Sequence, residues 1–220
     1  MGKNNLIFGI HPLIEALEAG REIDKILLKR GLRSSEVSHI MDVAKERMIP
    51  VQIVPEERLT RLTRKQHQGV IAFISEIEYT QLDQLIPMLY EEGRSPFVVL
   101  LDGLTDVRNF GAIARTAECA GVDAIIIPER GSVSVTADAV KTSAGALHRI
   151  PVCRVSSIQA AVTLLQENGI QIVAASEKAA DIYTESELSL PLGLVLGAED
   201  HGVSQDVLRR ADKIVRIPQV

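Results

Sequence analysis

No two glycines in this 220-residue sequence are separated by a single residue, so a G-x-G-x-x-G dinucleotide turn is excluded by inspection. A GxxxxGK[ST] phosphate loop is missing as well, and so is the G-x-S-x-G elbow that presents a nucleophilic serine. The common nucleotide-dependent and hydrolytic classes lose ground together. Cysteine is nearly absent: Cys119 and Cys153 are the only two, and neither belongs to a CxxC pair. That disfavours a disulfide framework or a cysteine-built zinc site and fits a reducing, cytoplasmic setting. No apolar run approaches the roughly 20 residues that cross a bilayer, so no membrane span is expected. The N-terminal stretch is interrupted by His11, Pro12, Glu15 and Glu18 and lacks the pattern of a signal peptide. Of the five histidines, His201 stands beside Glu199 and Asp200. One histidine and two adjacent carboxylates pointing different ways make a poor ligand set, and no metal is expected.

What is present divides along the chain. Residues 1–75 hold 12 Lys+Arg against 9 Asp+Glu, whereas residues 76–220 hold 12 against 20. The asymmetry fits either chance on solvated surfaces or a division of labour in which the cationic part meets a polyanion. In the first part short apolar runs alternate with helical ones, as in a small α/β sandwich: KILLK, then SSEVSHIMDVAKERM, PVQIV, PEERLTRLT and GVIAFI. Ser34–Met48 carries a helical stripe of Val37, Ile40, Met41, Val43, Ala44 and Met48, and Pro50 bars its continuation. Residues 76–95 are polar with one helical patch and read as a linker, which sets the domains at 1–75 and 96–220.

The second part opens on FVVLLDGL, a continuous apolar run of the kind found in strands buried on both faces. Similar runs recur at Ala124–Pro128, Gly169–Ser176, Leu192–Glu199 and Lys213–Pro218, with helical stretches at Asn109–Ala120, Val135–Ala146, Ser157–Asn168 and Ser204–Arg210. A parallel sheet flanked by helices follows, and ligands in such sheets sit beyond the carboxyl ends of the strands. Two of those ends are unusual. The first runs into DGLTDVRNFGAIAR, where Asn109 is either a helix cap or a site residue, and Arg115 either holds an anion or pairs with Glu118. The second is LVLGAEDHGVS, in which Gly197 and Gly202 permit a tight path and close approach to a ligand. Glu199 there serves either that loop or the start of the next helix.

These two stretches, DVRNFGAIARTAECAGVDAIIIP and LVLGAEDHGVS, resemble in order and spacing the first two signature motifs of the SpoU (TrmH) family of RNA ribose 2′-O-methyltransferases, in the SPOUT superfamily. GIHPLIEALEAG and KQHQGVIAF resemble the branch that methylates a guanosine of 23S ribosomal RNA. The resemblance implies an α/β chain: a SPOUT-type parallel sheet with a trefoil knot, behind a small N-terminal domain like ribosomal protein L30e that binds the substrate RNA. It implies S-adenosylmethionine as cofactor, held by Leu196, Gly197, Ile217 and Gln219. It implies catalytic roles for Arg115, Asn109 and Glu199 in a site formed across a homodimer. Arg64, Lys65 and His67 are the expected RNA contacts. Ribosomal RNA is the expected substrate, with transfer RNA the alternative and a non-catalytic RNA-binding protein of the same fold the rival reading.

IVRIPQ resembles the opening of the family's third motif, which continues into a Ser-Leu-Asn-Val-Ser-like stretch that completes the knot; the sequence in hand stops at Val220. Its expected consequence is poor cofactor binding by the 220-residue polypeptide. A calorimetric titration with S-adenosylmethionine checks this, and tight binding would contradict it.

Overall fold

Alternating patterns become layers in the computed structural model, which describes residues 6–218. The chain divides into two compact units, 1–78 and 79–220. In the first, β1 (Leu6–Phe8), β2 (Ile23–Lys29), β3 (Val51–Val54) and β4 (Val70–Ile74) form a sheet in the order β1-β4-β2-β3. β4 runs antiparallel to both β1 and β2, while β3 is parallel to β2. Successive strand residues face opposite sides. Ile26, Leu28, Val70 and Ala72 pack with α1 (Ile10–Glu18) and α2 (Ser35–Glu46), and Leu27 and Ile71 pack with Leu59 of α3 (Glu56–Leu62) on the other face. α2 starts at Ser34, whose hydroxyl accepts from the Val37 amide at 3.2 Å. Val37, Ile40 and Ala44 of its stripe are buried, but Met41 faces outward at 41% exposure.

The second unit is an eight-stranded sheet in the order β10-β12-β9-β11-β6-β7-β8-β5. It comprises β5 (Tyr79–Thr80), β6 (Phe97–Asp102), β7 (Ala124–Pro128), β8 (Val152–Val155), β9 (Gln171–Ala175), β10 (Asp181–Ile182), β11 (Leu192–Gly197) and β12 (Lys213–Arg216). Every pairing is parallel, which accounts for the unbroken apolar runs. Around it lie α4 (Leu82–Glu91), α5 (Val107–Cys119), α6 (Ala137–Thr142), α7 (Ile158–Glu167) and α8 (Gln205–Leu208). Val98, Leu100, Ile126, Cys153, Ile172 and Val195 meet α4 and α7 in one core, while the alternate residues Val99, Leu101, Ile125 and Ile127 are buried toward the opposite face. Burial pushes the Cys153 thiol up to about 12.

The structure departs from the sequence reading at residues 76–95. They contain β5 and α4, whose Leu82, Leu85, Ile86 and Leu89 are buried in the core of the second unit. The polar letters of the segment belong to the outer face of an amphipathic helix. β8 and β10 have no counterpart in the expected strands. Among the described residues no helix is long and apolar enough to cross a membrane.

Where α4 ends, Asp123 holds the entry to β6. Its side chain, 4% exposed, pairs with Arg94 and accepts from the Phe97 amide at 2.7 Å. Removing the carboxylate leaves a partly buried N–H without its acceptor, at a cost of about 1 kcal/mol or more. Asp123→Ala should therefore lower the denaturant midpoint measurably, whereas Arg94→Gln, at the half-exposed end of the pair, should move it much less.

Candidate active site

Because all eight strands run the same way, their carboxyl ends share one edge, and both unusual stretches lie on it. β11 is paired along its whole length with β6, Gly197 opposite Asp102, so the two loops that leave these strands start side by side. Asp102 fastens them: its Oδ2 accepts from the Ser204 amide at 2.8 Å.

The loop after β11 doubles back at once. Gly202 donates to the Ala198 carbonyl at 2.8 Å, and Ala198 and Gly202 form an antiparallel bridge. A Cβ at Gly197 would lie 2.0 Å from the Gly202 carbonyl carbon and 2.2 Å from the Val203 nitrogen. No side chain fits there, because the obstacle is backbone. Gly202 itself takes φ 67, in the left-handed region. The turn displays Glu199, Asp200 and His201 to solvent; His201 Nε2 lies 3.0 Å from Asp200 Oδ2. Among the described residues no group of three or more His, Cys, Asp or Glu is placed to hold a metal ion.

Asn109 is not the helix cap. Asp106 takes that position, its Oδ1 accepting from the Arg108 and Asn109 amides at 2.8 and 2.7 Å. Asn109 therefore sits in the first turn with its amide free to reach across, and Nδ2 donates to Glu199 Oε2 at 3.3 Å. That single bond joins the two stretches over 90 residues of sequence. Glu199 accordingly serves the neighbouring loop, and α8 begins without it. Asp106 is legible as the cap, since Asp stands four residues before Phe110, the first buried side chain of the helix, and is a preferred residue at a helix start.

Arg115 stands apart. Six residues beyond Asn109, it lies about 9 Å further along the helix axis and about 120° around it. It is exposed and forms no ion pair among the described residues. The expected partner Glu118 instead lies 3.5 Å from Arg149. One turn before Arg115, Gly111 lets α5 press against α6: a Cβ there would stand 2.7 Å from Thr142 Cβ and 2.8 Å from the Ala139 carbonyl oxygen.

Leu196 and Gly197 are half-buried at the end of β11, and Ile217, 59% exposed, follows the end of β12. With only β9 between these strands, the two ends stand about 10 Å apart along the same edge. Gln219 lies outside the described residues. Arg64, Lys65 and His67 all fall in the loop between α3 and β4 of the first unit.

Residues 96–220 match the model of the SpoU rRNA methylase family, and residues 6–80 match that of the RNA 2′-O ribose methyltransferase substrate-binding domain. The chain belongs to the SpoU rRNA methylase family. It is 38% identical over 215 residues to a Staphylococcus haemolyticus protein assigned to the TrmH family of tRNA/rRNA methyltransferases, an alignment spanning 98% of this chain and 86% of the relative. A protein of the same assignment from Staphylococcus aureus strain MSSA476 is 36% identical over 218 residues, 99% of this chain and 88% of the relative. Among solved structures, the AdoMet-bound rRNA methyltransferase of Sinorhizobium meliloti superposes with a TM-score of 0.58 at 25% identity, over 98% of this chain and 78% of that one. The SpoU methyltransferase AviRb of Streptomyces viridochromogenes gives 0.58 at 22% identity, over 98% and 81%, and shares the fold. The α/β architecture and the family read from the two motifs are thus both met.

Forcing a Cβ into the SpoU-family turn must push backbone apart, at a cost of the order of 1–3 kcal/mol or more. Gly197→Ala should lower the unfolding midpoint and speed hydrogen exchange at the Gly202 amide, which loses its bond to Ala198. Gly193→Ala, whose Cβ would meet the movable side-chain ends of Ile172, Leu100 and Leu165 and no backbone, should be milder.

Proposed function

We propose that this SpoU-family methyltransferase moves a methyl group from S-adenosylmethionine to the 2′-hydroxyl of an RNA ribose, with a guanosine of 23S ribosomal RNA as the target. The observation that carries this reading is the Asn109–Glu199 bond, which joins the first and second family motifs at the ligand-binding edge of the sheet. The cofactor bound by the Sinorhizobium meliloti relative supports the donor. The edge suits it chemically: an exposed isoleucine and a half-buried leucine offer apolar contact, and strand-end backbone at Gly197 offers hydrogen bonds without a dinucleotide turn. Leu196, Gly197, Ile217 and Gln219 are the residues that would hold it, in the knotted C-terminal region that the family implies.

Bound there, the sulfonium donor supplies a methyl group that is already electrophilic. The protein has to align a hydroxyl with it and stabilise the charge that grows as the proton leaves. Arg115 suits that task as an orienting and anion-stabilising group. A guanidinium with a pKa above about 12 is a poor general base, whereas its fork of N–H donors can hold a ribose oxygen and a neighbouring phosphate together. Asn109 and Glu199 hold the two loops in register. Since one chain keeps Arg115 about two helical turns from that pair, the reading includes a homodimer in which Arg115 of one subunit faces the cofactor edge of the other. Arg64, Lys65 and His67 are the proposed RNA contacts of the substrate-binding unit.

The test is transfer of labelled methyl from S-adenosylmethionine to unmodified transcripts of 23S ribosomal RNA and, in parallel, of transfer RNA. Arg115→Ala should lower turnover by about 100-fold or more, and Arg115→Lys should recover little of it because lysine lacks the fork. Full turnover by the lysine variant overturns the role given to Arg115. Transfer to the transfer RNA alone overturns the ribosomal target.

A further inference from the structure

The loop between α3 and β4 is polar in sequence yet tightly pinned. Thr63 Oγ1 accepts from the Lys65 amide at 3.0 Å, the His67 carbonyl from the Val70 amide at 2.8 Å, and the Gly69 carbonyl from the Lys29 amide at 2.8 Å. Gln68 and Gly69 both take positive φ, 50 and 80. That turn aims the Gln68 side chain at the start of α1, where Oε1 accepts from the Ile10 amide at 3.2 Å. A Cβ at Gly69 would come within 3.1 Å of both Leu32 Cδ2 and Lys29 Cβ. The loop and the turn after β2 thus wall two sides of a cavity of about 360 Å3, lined by Lys29, Leu32, Glu56 and residues 65–69.

The chemistry of these walls is uneven. Lys29 is occupied, with its ammonium 2.5 Å from Glu56 Oε2, and that hydrogen bond holds the Glu56 carboxyl below its usual range. Lys65 has no carboxylate partner among the described residues; its ammonium lies 5.3 Å from the centre of the Phe8 ring. His67 Nδ1 accepts from the Gly69 amide at 3.0 Å, so the neutral ring carries its proton on Nε2 and presents a donor on a flat, fixed imidazole. Leu32 supplies an apolar wall and also borders a second cavity of about 580 Å3, which carries Arg33. Arg30 and Arg64, next in sequence to the lining residues Lys29 and Lys65, are exposed like Arg33, and none of the three forms an ion pair among the described residues. A volume near the low end of small-ligand pockets, about 300–1,000 Å3, admits one nucleotide and excludes a base-paired helix. Unpaired bases are held by ring and apolar faces beside hydrogen-bond donors, and phosphates by cations without competing carboxylates.

We propose that this cavity receives one unpaired nucleotide of the substrate RNA, its base against Leu32 and the His67 ring and its phosphate on Lys65. The proposal rests on the RNA-methylating reading and narrows the substrate to a segment that is single-stranded where the first unit grips it.

Fluorescence anisotropy of the full chain with labelled twelve-nucleotide oligouridine, against a duplex RNA of equal length and over a range of salt, tests it. The wild type should prefer the single strand. Lys65→Gln should weaken that binding and reduce the slope of log affinity on log salt by about 0.7, the single-strand value for one phosphate contact. His67→Asn keeps an acceptor for the Gly69 amide while removing the ring; it should lose about tenfold in affinity with the slope unchanged. Equal binding of strand and duplex by the wild type, or wild-type affinity and slope in both variants, overturns the subsite even if methyl transfer to RNA proceeds. Failure of the wild type to methylate any RNA would overturn the parent reading and leave the oligonucleotide result to be judged by itself.

Discussion

The close passage of backbone over Gly197 is the constraint on which the candidate site depends. A strand in a parallel sheet normally hands its chain to a helix by a loop that projects beyond the edge. Here the chain turns back within five residues, and its own carbonyl carbon occupies the space where a Cβ would stand. The fold-back turns Glu199 toward α5, and the Asp102–Ser204 bond keeps the turn against the neighbouring strand. None of these contacts is strong alone, since single hydrogen bonds contribute about 0.5–1.5 kcal/mol. Their worth lies in geometry. Two loops far apart in sequence are held at one edge by a sheet whose register admits no slip, because β6 and β11 pair over all six residues.

The same edge was legible in the sequence to the extent that apolar runs without alternation announce parallel strands. β6, β7, β9, β11 and β12 all stand where such runs predicted them. β8 escaped because Arg154 interrupts a four-residue strand. The structure buries that arginine, 6% exposed, with its guanidinium 3.7 Å from the centre of the Tyr79 ring in β5. A charge in a core strand is readable only once the strand that covers it is known, and β5 is two residues long. α4 was hidden by its own amphipathicity: Asp83, Gln84, Glu91 and Glu92 made the segment look like a linker, although the leucines between them are buried.

At the site, residue types were legible and partners were not. Both glycines of the second stretch and the asparagine of the first stood out for their chemistry. Which carboxylate met the asparagine could not be read, because Glu199 and Asp200 are adjacent and only the turn decides which one faces α5. The cap is open in the sequence for a related reason. Asp106 and Asn109 are both good capping residues, and the choice between them depends on where the chain leaves β6. Glu118 likewise had two arginines to choose from, one three residues away along the helix and one across the 3-10 turn that follows α6. It took the distant one.

That choice leaves Arg115 uncommitted, and its placement bears on how a two-motif site works. Gly111, Arg115 and Glu118 follow one stripe of α5; the first is pressed against α6 and the last is tied to Arg149. Helix ends that could fray or rotate are thereby fixed on either side of the arginine, although nothing neutralises its charge. A cation held in place without a counterion is costly only if it is desolvated, and this one remains in water. It is therefore cheap to maintain in the free chain, and its pull on any anion that excluded solvent would be stronger, since the same charges attract more strongly at lower effective dielectric. An arginine already paired with Glu118 would first have to break that bond. By sending Glu118 to Arg149, the fold leaves the Arg115 guanidinium without an ion pair among the described residues.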